Sequence, residues 1–138
     1  MSDFRPSPFR TNESVKFGDA SDDAHEVVGS FELEGPISFS KITTSSATSI
    51  TAGVTDSVIF CTNDTADSTI TVTLPTASDA GEGSVLFVKV TNTRTHTLTL
   101  QSGSVSDKIE GEDTKTFSGG VGLGVILLSD GTSKWHIF

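Results

Sequence analysis

The residues with reactive or ligating side chains are few in this chain, and their spacing argues against most of the chemistry they could do. Three histidines, His25, His96 and His136, could bind a metal or move a proton. None lies three or four residues from another, so a zinc site is not expected. Cys61 follows the apolar run Val58-Ile59-Phe60 and reads as a small buried hydrophobe rather than a reactive thiol. The loop Asp19-Ala20-Ser21-Asp22-Asp23 offers carboxylates to calcium, but it lacks the spaced glycine and closing glutamate of an EF-hand. A solvated turn is expected there. Asp107, Glu110, Glu112 and Asp113 read as a solvated edge, because a glycosidase needs two carboxylates facing each other across a substrate groove. No serine sits in a nucleophile elbow, and no phosphate-binding glycine loop precedes a helix. Trp135 could stack on a sugar ring, yet it alternates with His136 and shares a face with Ile137, which places it in the core. No catalytic residue, metal or cofactor is therefore expected, and the chain is not expected to be an enzyme.

The elements that would position these side chains are strands. Thr69-Ile70-Thr71-Val72-Thr73-Leu74 and His96-Thr97-Leu98-Thr99-Leu100 place apolar side chains at every second residue, the period of a half-buried strand. Strands are predicted near 48–52, 57–62, 68–74, 84–91, 96–101, 107–110, 114–118, 122–128 and 134–138. Turn signals separate them: Asn63-Asp64, Asp79-Ala80-Gly81, Asn92-Thr93, Ser102-Gly103, Gly111-Glu112-Asp113 and Asp130-Gly131. Pro75 should end the strand before it. Thr76–Gly81 could form one short helix, and Gly119, Gly120, Gly122 and Gly124 mark a bend where two backbones approach. Turns about ten residues apart suggest an all-β domain over 48–138, an antiparallel β-sandwich or jelly-roll.

Two segments precede it. In residues 1–16, Phe4-Arg5-Pro6-Ser7-Pro8-Phe9-Arg10 interleaves aromatics, prolines and arginines. Proline fixes the backbone and removes a donor, so this stretch should be an extended arm. Pre-extended chain loses less entropy on docking, and Phe4, Arg5, Pro6, Pro8, Phe9 and Arg10 are the candidate partner-binding residues. Residues 17–47 hold a hairpin pattern, with Phe31, Leu33, Ile37 and Phe39 on one face and Gly35-Pro36 as the turn. An isolated hairpin is marginal in water, so it must pack on the following domain or on copies of itself.

Composition narrows the partners. The 138 residues carry a net charge of −9 and only 34% hydrophobic residues, while Ser and Thr exceed a quarter of the chain. Without a basic patch, nucleic acid and anionic membranes are not expected partners. Val125-Ile126-Leu127-Leu128 is too short to span a bilayer, and Met1–Arg5 has no apolar core like that of a signal peptide. One cysteine gives no internal disulfide, which fits synthesis in a reducing cytoplasm. Low apolar content suits a subunit that completes its core against a partner.

The order of segments then resembles a known family. Thr73-Leu-Pro-Thr-Ala77, Gly83-Ser-Val-Leu-Phe-Val-Lys-Val-Thr-Asn92, Thr97-Leu-Thr-Leu100, Lys108-Ile-Glu-Gly111 and Leu127-Leu-Ser-Asp-Gly-Thr-Ser-Lys-Trp-His-Ile137 are similar to a β module of tailed-bacteriophage virion proteins. That module occurs in tail fibres, head fibres and capsid decoration proteins. Phe17–His25 and Gly29–Ser38 look like the short repeats of phage fibres, and together the two matches cover about 85% of the chain. The resemblance implies a homotrimer located on the virion and made in the host cytoplasm, with the major capsid protein or another virion protein as partner. The chain is short for a fibre, so a capsid decoration (cement) or head-spike protein is the expected role. A carbohydrate-recognising tail-fibre tip is the alternative. It would show exposed aromatics at loop tips, and this chain has no tyrosine and a single tryptophan in a strand.

Overall fold

The computed structural model describes residues 28, 41–65, 68–91, 94–119 and 122–138. The arm residues Phe4 to Arg10, the hairpin residues Phe31, Leu33, Ile37 and Phe39, His25 and the Asp19–Asp23 loop lie outside the described residues. The chain divides between residues 37 and 38, and the described strands and helix all belong to the second unit.

Among the described residues of that unit there are ten strands and one short helix. They are β1 (Ile42–Ser45), β2 (Ser49–Thr51), β3 (Val58–Cys61), β4 (Thr69–Thr73), α1 (Ala77–Ala80), β5 (Glu82–Val90), β6 (Thr97–Gln101), β7 (Lys108–Ile109), β8 (Thr114–Ser118), β9 (Gly124–Asp130) and β10 (Lys134–Ile137). Strands alternate between two sheets along the chain from β1 to β8. One sheet has the order β1-β3-β5-β9-β10-β7 and the other β2-β4-β6-β8.

The architecture is mostly β, as the periodicity predicts, but the sheets are mixed rather than antiparallel. β1, β3 and β5 run parallel, as do β2, β4 and β6, and β10 pairs with β7 in parallel; β5–β9, β9–β10 and β6–β8 are antiparallel. The reason is the winding. Parallel neighbours need a crossover between them, and in this chain the crossover is a strand laid in the opposite sheet. Each circuit therefore adds one parallel strand to both sheets. Turn spacing fixes strand length but not whether the next strand folds back or crosses over. β1 is not among the predicted strands; it pairs with β3, so the sheet begins at Ile42, ahead of the expected domain start at 48.

The inward side chains of both sheets meet in one hydrophobic cluster. It includes Ile50, Ile70, Val72, Leu98 and Leu100 from the four-stranded sheet, and Ile59, Cys61, Leu86, Val88, Val90, Ile109, Val125, Leu127 and Trp135 from the six-stranded one.

The segment Leu74–Ala77 closes one end of this core. Trp135 Nε1–H donates to the Pro75 carbonyl at 3.1 Å, and Ser129 Oγ donates to the Ala77 carbonyl at 3.0 Å. Ala77 N–H donates to Asp107 Oδ2 at 2.8 Å. Gly103 lies so close that a Cβ there would overlap the Leu74 carbonyl oxygen. Thr76 caps α1, accepting from Asp79 N–H at 3.2 Å, and Gly81 ends it at φ +85°. Trp135 is thus a core residue, as its strand position predicts. Asp107 is not the solvated edge residue expected: it is buried, because its carboxylate satisfies an N–H that would otherwise be orphaned at the start of α1.

Candidate functional site

The two sheets differ on the sides that face away from the core. On the four-stranded sheet the outward positions are Ser49, Thr51, Thr69, Thr71, Thr73, Thr97, Thr99, Gln101, Thr114, Thr116 and Ser118. In the pairing register Ser49, Thr71, Thr99 and Thr116 form one row, and Thr51, Thr73, Gln101 and Thr114 the next. Thr99 and Thr116 hydroxyls bond each other at 3.2 Å across the strands. This face carries no charge and no aromatic ring. Every side chain on it can exchange hydrogen bonds with water, and the β-branched carbons suit the pleat.

The central strands of the six-stranded sheet present the opposite chemistry, while Lys134, His136 and Lys108 face outward on β10 and β7, and Glu82 and Asp130 pair at the end of β5 and β9. Its outward positions include Ile42, Val58, Phe60, Val85, Phe87, Ile126 and Leu128, with Lys89 the one charge on β1, β3, β5 from Val85 onward, and β9 up to Leu128. In register, Val58 neighbours Phe87, Phe87 neighbours Ile126, and Val85 neighbours Leu128. None of these belongs to the core cluster, although Val58 is itself buried. Ile42, Val85 and Ile126 are 55%, 39% and 40% exposed, and the terminal Phe138, whose N–H donates to the Ile126 carbonyl, is 76% exposed. The Lys89 ammonium donates to the Gly122 carbonyl at the margin of the face.

Polar side chains fix the rims. Asp56 is almost wholly withdrawn from solvent and ties the entry of β1 to the 53–56 turn. It accepts from Gly53 N–H at 2.8 Å and Thr43 Oγ1 at 2.9 Å, and pairs with Lys41 Nζ at 2.9 Å. Burial alone would raise its pKa, but the Gly53, Lys41 and Thr43 hydrogen bonds together outweigh it and hold the carboxyl below its ordinary value. Asp130 accepts three backbone N–H groups, from Lys134, Thr132 and Ser133, which lower its pKa and shape the β9–β10 turn.

At the edge of the four-stranded sheet a polar chain runs inward. Asn63 Nδ2 donates to the Ser46 carbonyl at 2.7 Å, Ser68 Oγ lies 3.2 Å from Asn63 Oδ1, and His96 Nδ1 lies 3.0 Å from Ser68 Oγ. Ser68 has one hydroxyl proton, and the Thr65 carbonyl is a further acceptor at 3.0 Å. The tautomer that satisfies the most groups has His96 Nδ1–H donating to Ser68. Its buried Nε2 then carries a lone pair without a donor rather than an unpaired N–H. His96 is therefore a core histidine and not the ordinary surface or strand histidine expected beside a turn. The Ser68–His96 contact is not a nucleophile–base pair with access to substrate, since His96 is only 2% exposed.

The remaining reactive candidates stay apart. Cys61 is fully buried, and desolvation pushes its thiol pKa up to about 11, so it is inert as a nucleophile. Glu110, in left-handed backbone at φ +49°, accepts from Ile137 N–H at 2.8 Å, and its carboxylate lies 3.6 Å from His136 Nδ1. Glu112 pairs with Lys115, and Asp113 with Lys108. A shallow depression of about 310 Å³ is lined by Gln101, Ser102, Gly103, Ser104, Val105, Asp113 and Thr114, with no aromatic wall. Among the described residues no three His, Cys, Asp or Glu side chains converge as a metal site would require, and no helix is long and apolar enough to cross a membrane.

No family model, no curated protein and no solved structure matches this chain.

Proposed function

We propose that this chain is a structural virion protein of a tailed bacteriophage, a trimeric capsid decoration (cement) or head-spike protein that works by binding rather than by turnover. In this reading the two sheets stack as a sandwich, three chains assemble through Phe31, Leu33, Ile37 and Phe39, and the Phe4–Arg10 arm lies along the capsid shell or a neighbouring subunit.

The observation that supports the reading most is that the segments carrying the resemblance are the ones that interlock. Thr73–Ala77 is clasped by Ser129 and Trp135 of the 127–137 segment and by Asp107, just ahead of the 108–111 segment. Residues far apart in the chain thus act as one unit, which is what a fixed order and spacing of segments would preserve. The chemistry fits as well. The described residues offer broad sheet faces and a shallow depression, and recognition through broad faces is how a scaffold protein stabilises its partner, by adding interface area that only the assembled state can bury. A net charge of −9 keeps decorated particles mutually repelling.

Deleting residues 1–14 tests the attachment. The truncated protein is expected to fold and to keep its oligomeric mass but to be absent from purified particles. Full decoration by the truncated protein would overturn the anchoring role of the arm. Undecorated particles should release their genome at lower temperature than decorated ones; equal release temperatures would remove the cement role.

A further inference from the structure

We infer that the buried His96 is an acid-sensitive latch: its neutral ring helps tie together the three crossovers at one end of the wound strands, and a proton on Nε2 releases them.

The winding puts the latch where it can act. β1, β3 and β5 each pass the chain to the other sheet, through residues 46–48, 62–68 and 91–96. Because β1, β3 and β5 are parallel, these crossovers lie side by side at one end. β4 starts at that end and finishes at the Leu74–Ala77 clasp, so the two ends are held by different means. One chain of polar contacts runs through all three crossovers. It passes from the Ser46 carbonyl to Asn63 at 2.7 Å, from Asn63 to Ser68 at 3.2 Å, and from Ser68 to His96 Nδ1 at 3.0 Å.

Neutral histidine suits this chain and charged histidine does not. With Nδ1–H given to Ser68, Nε2 is a bare lone pair, fully buried and without a partner. A proton added there makes an N–H with no acceptor and brings a charge into the core. Burying such a group unpaired is costly, whereas an opened chain lets water solvate it. The neutral ring therefore supports the fold above the range in which free histidine takes a proton, and that support is lost as pH falls through it.

The described groups around the ring offer the proton no partner. In its own sheet the neighbours are Ser68 on the β4 side and Gly119, whose N–H donates to the His96 carbonyl, on the β8 side. Lys115 on β8 is at the far end of the pairing and bonded to Glu112. Across the core, the inward residues at this end are Cys61, Val90 and Val125; only the thiol titrates, and burial keeps it neutral. Lys89 on β5 points outward to the Gly122 carbonyl. Asp64 and Arg94 in the flanking loops are exposed and pair with each other at 2.9 Å. Asp67, next to Ser68, lies outside the described residues and enters the test.

Urea unfolding of the full chain between pH 8 and pH 5 tests the inference, with His96→Asn as the variant that cannot take the proton. The wild-type unfolding constant should rise below about pH 6.5, by up to about tenfold per pH unit, the limit for one proton. His96→Asn should be less stable than wild type at pH 8 and should lack that rise. The difference should persist in an Asp67→Asn background. Parallel curves for wild type and His96→Asn overturn the inference. So does a difference that vanishes with Asp67→Asn, which would assign the effect to that carboxylate. Should His96→Asn fail to fold, hydrogen exchange of the wild type, corrected for intrinsic rates, is read instead. The amides of Thr62, Thr91 and Thr97 at the crossovers should lose protection as pH falls from 7 to 5, while that of Leu74 at the clasp keeps its own. Equal change at both ends, or none at either, overturns the inference.

Discussion

The two outer faces share a core, a winding and a strand geometry, and they differ in almost every side chain. On one, Thr71, Thr99 and Thr116 lie in a row of hydroxyls; on the other, Phe87 lies between Val58 and Ile126. Fold stability does not call for the difference, because the inward cluster is the same for both sheets. A hydroxyl face would have served the six-stranded sheet equally well in water. The apolar face is a cost to a solitary chain, since exposed apolar area of this extent invites association.

The comparison can be broken from the core outward. The largest effect is expected from Trp135→Ala, which removes the indole and its bond to Pro75 from beneath both faces. Such truncations cost about 3–5 kcal/mol, and denaturant unfolding of the variant should show a loss in that range. A small loss would mean that the clasp does not hold the two sheets together. Gly103→Ala comes next, because its Cβ must displace the Leu74 carbonyl. Overpacking of this kind costs about 1–3 kcal/mol, read as a lowered midpoint in the same experiment.

Asp56 sharpens the contrast on the apolar side, at the edge strand β1. Its folded pKa lies below its unfolded value, so its ionised form stabilises the fold above the unfolded pKa. That contribution is lost as pH falls through the folded pKa. Asp56→Asn should therefore lower stability near neutral pH and flatten the acid limb of the stability–pH curve. An acid limb unchanged from wild type would show that the Lys41–Thr43–Gly53 cage does not govern β1. The smallest effects are expected at the faces themselves. Thr99→Val and Ile126→Thr should each change the stability of the single chain by no more than about 0.5 kcal/mol.

Much of the fold is legible in the sequence. Alternation, short apolar runs and turn signals together locate β2 to β10 to within a few residues, Pro75 and the Thr76–Gly81 signal locate the end of β4 and the short helix, and alternation alone assigns Trp135 to the core. β1 escapes such a reading because Ile42-Thr43-Thr44-Ser45 is short, polar and set inside a segment that reads as a hairpin. The parallel pairing escapes it because local turn chemistry does not encode which sheet the next strand joins. Asp107 and His96 are misjudged from sequence because their burial depends on partners thirty and twenty-eight residues away, Ala77 and Ser68. The apolar outer face does leave a signal. Val58–Cys61 and Val125–Leu128 lack the alternation that β4 and β6 show.

The contrast between outward and inward positions is tested most directly by footprinting the full chain with a side-chain-labelling carbene. Labelling of Val85 and Ile126 is expected to exceed that of their inward neighbours Leu86 and Leu127, as labelling of Thr71 and Thr99 should exceed that of Ile70 and Leu98. Labelling at Val85 and Ile126 no higher than at Leu86 and Leu127 would contradict the account.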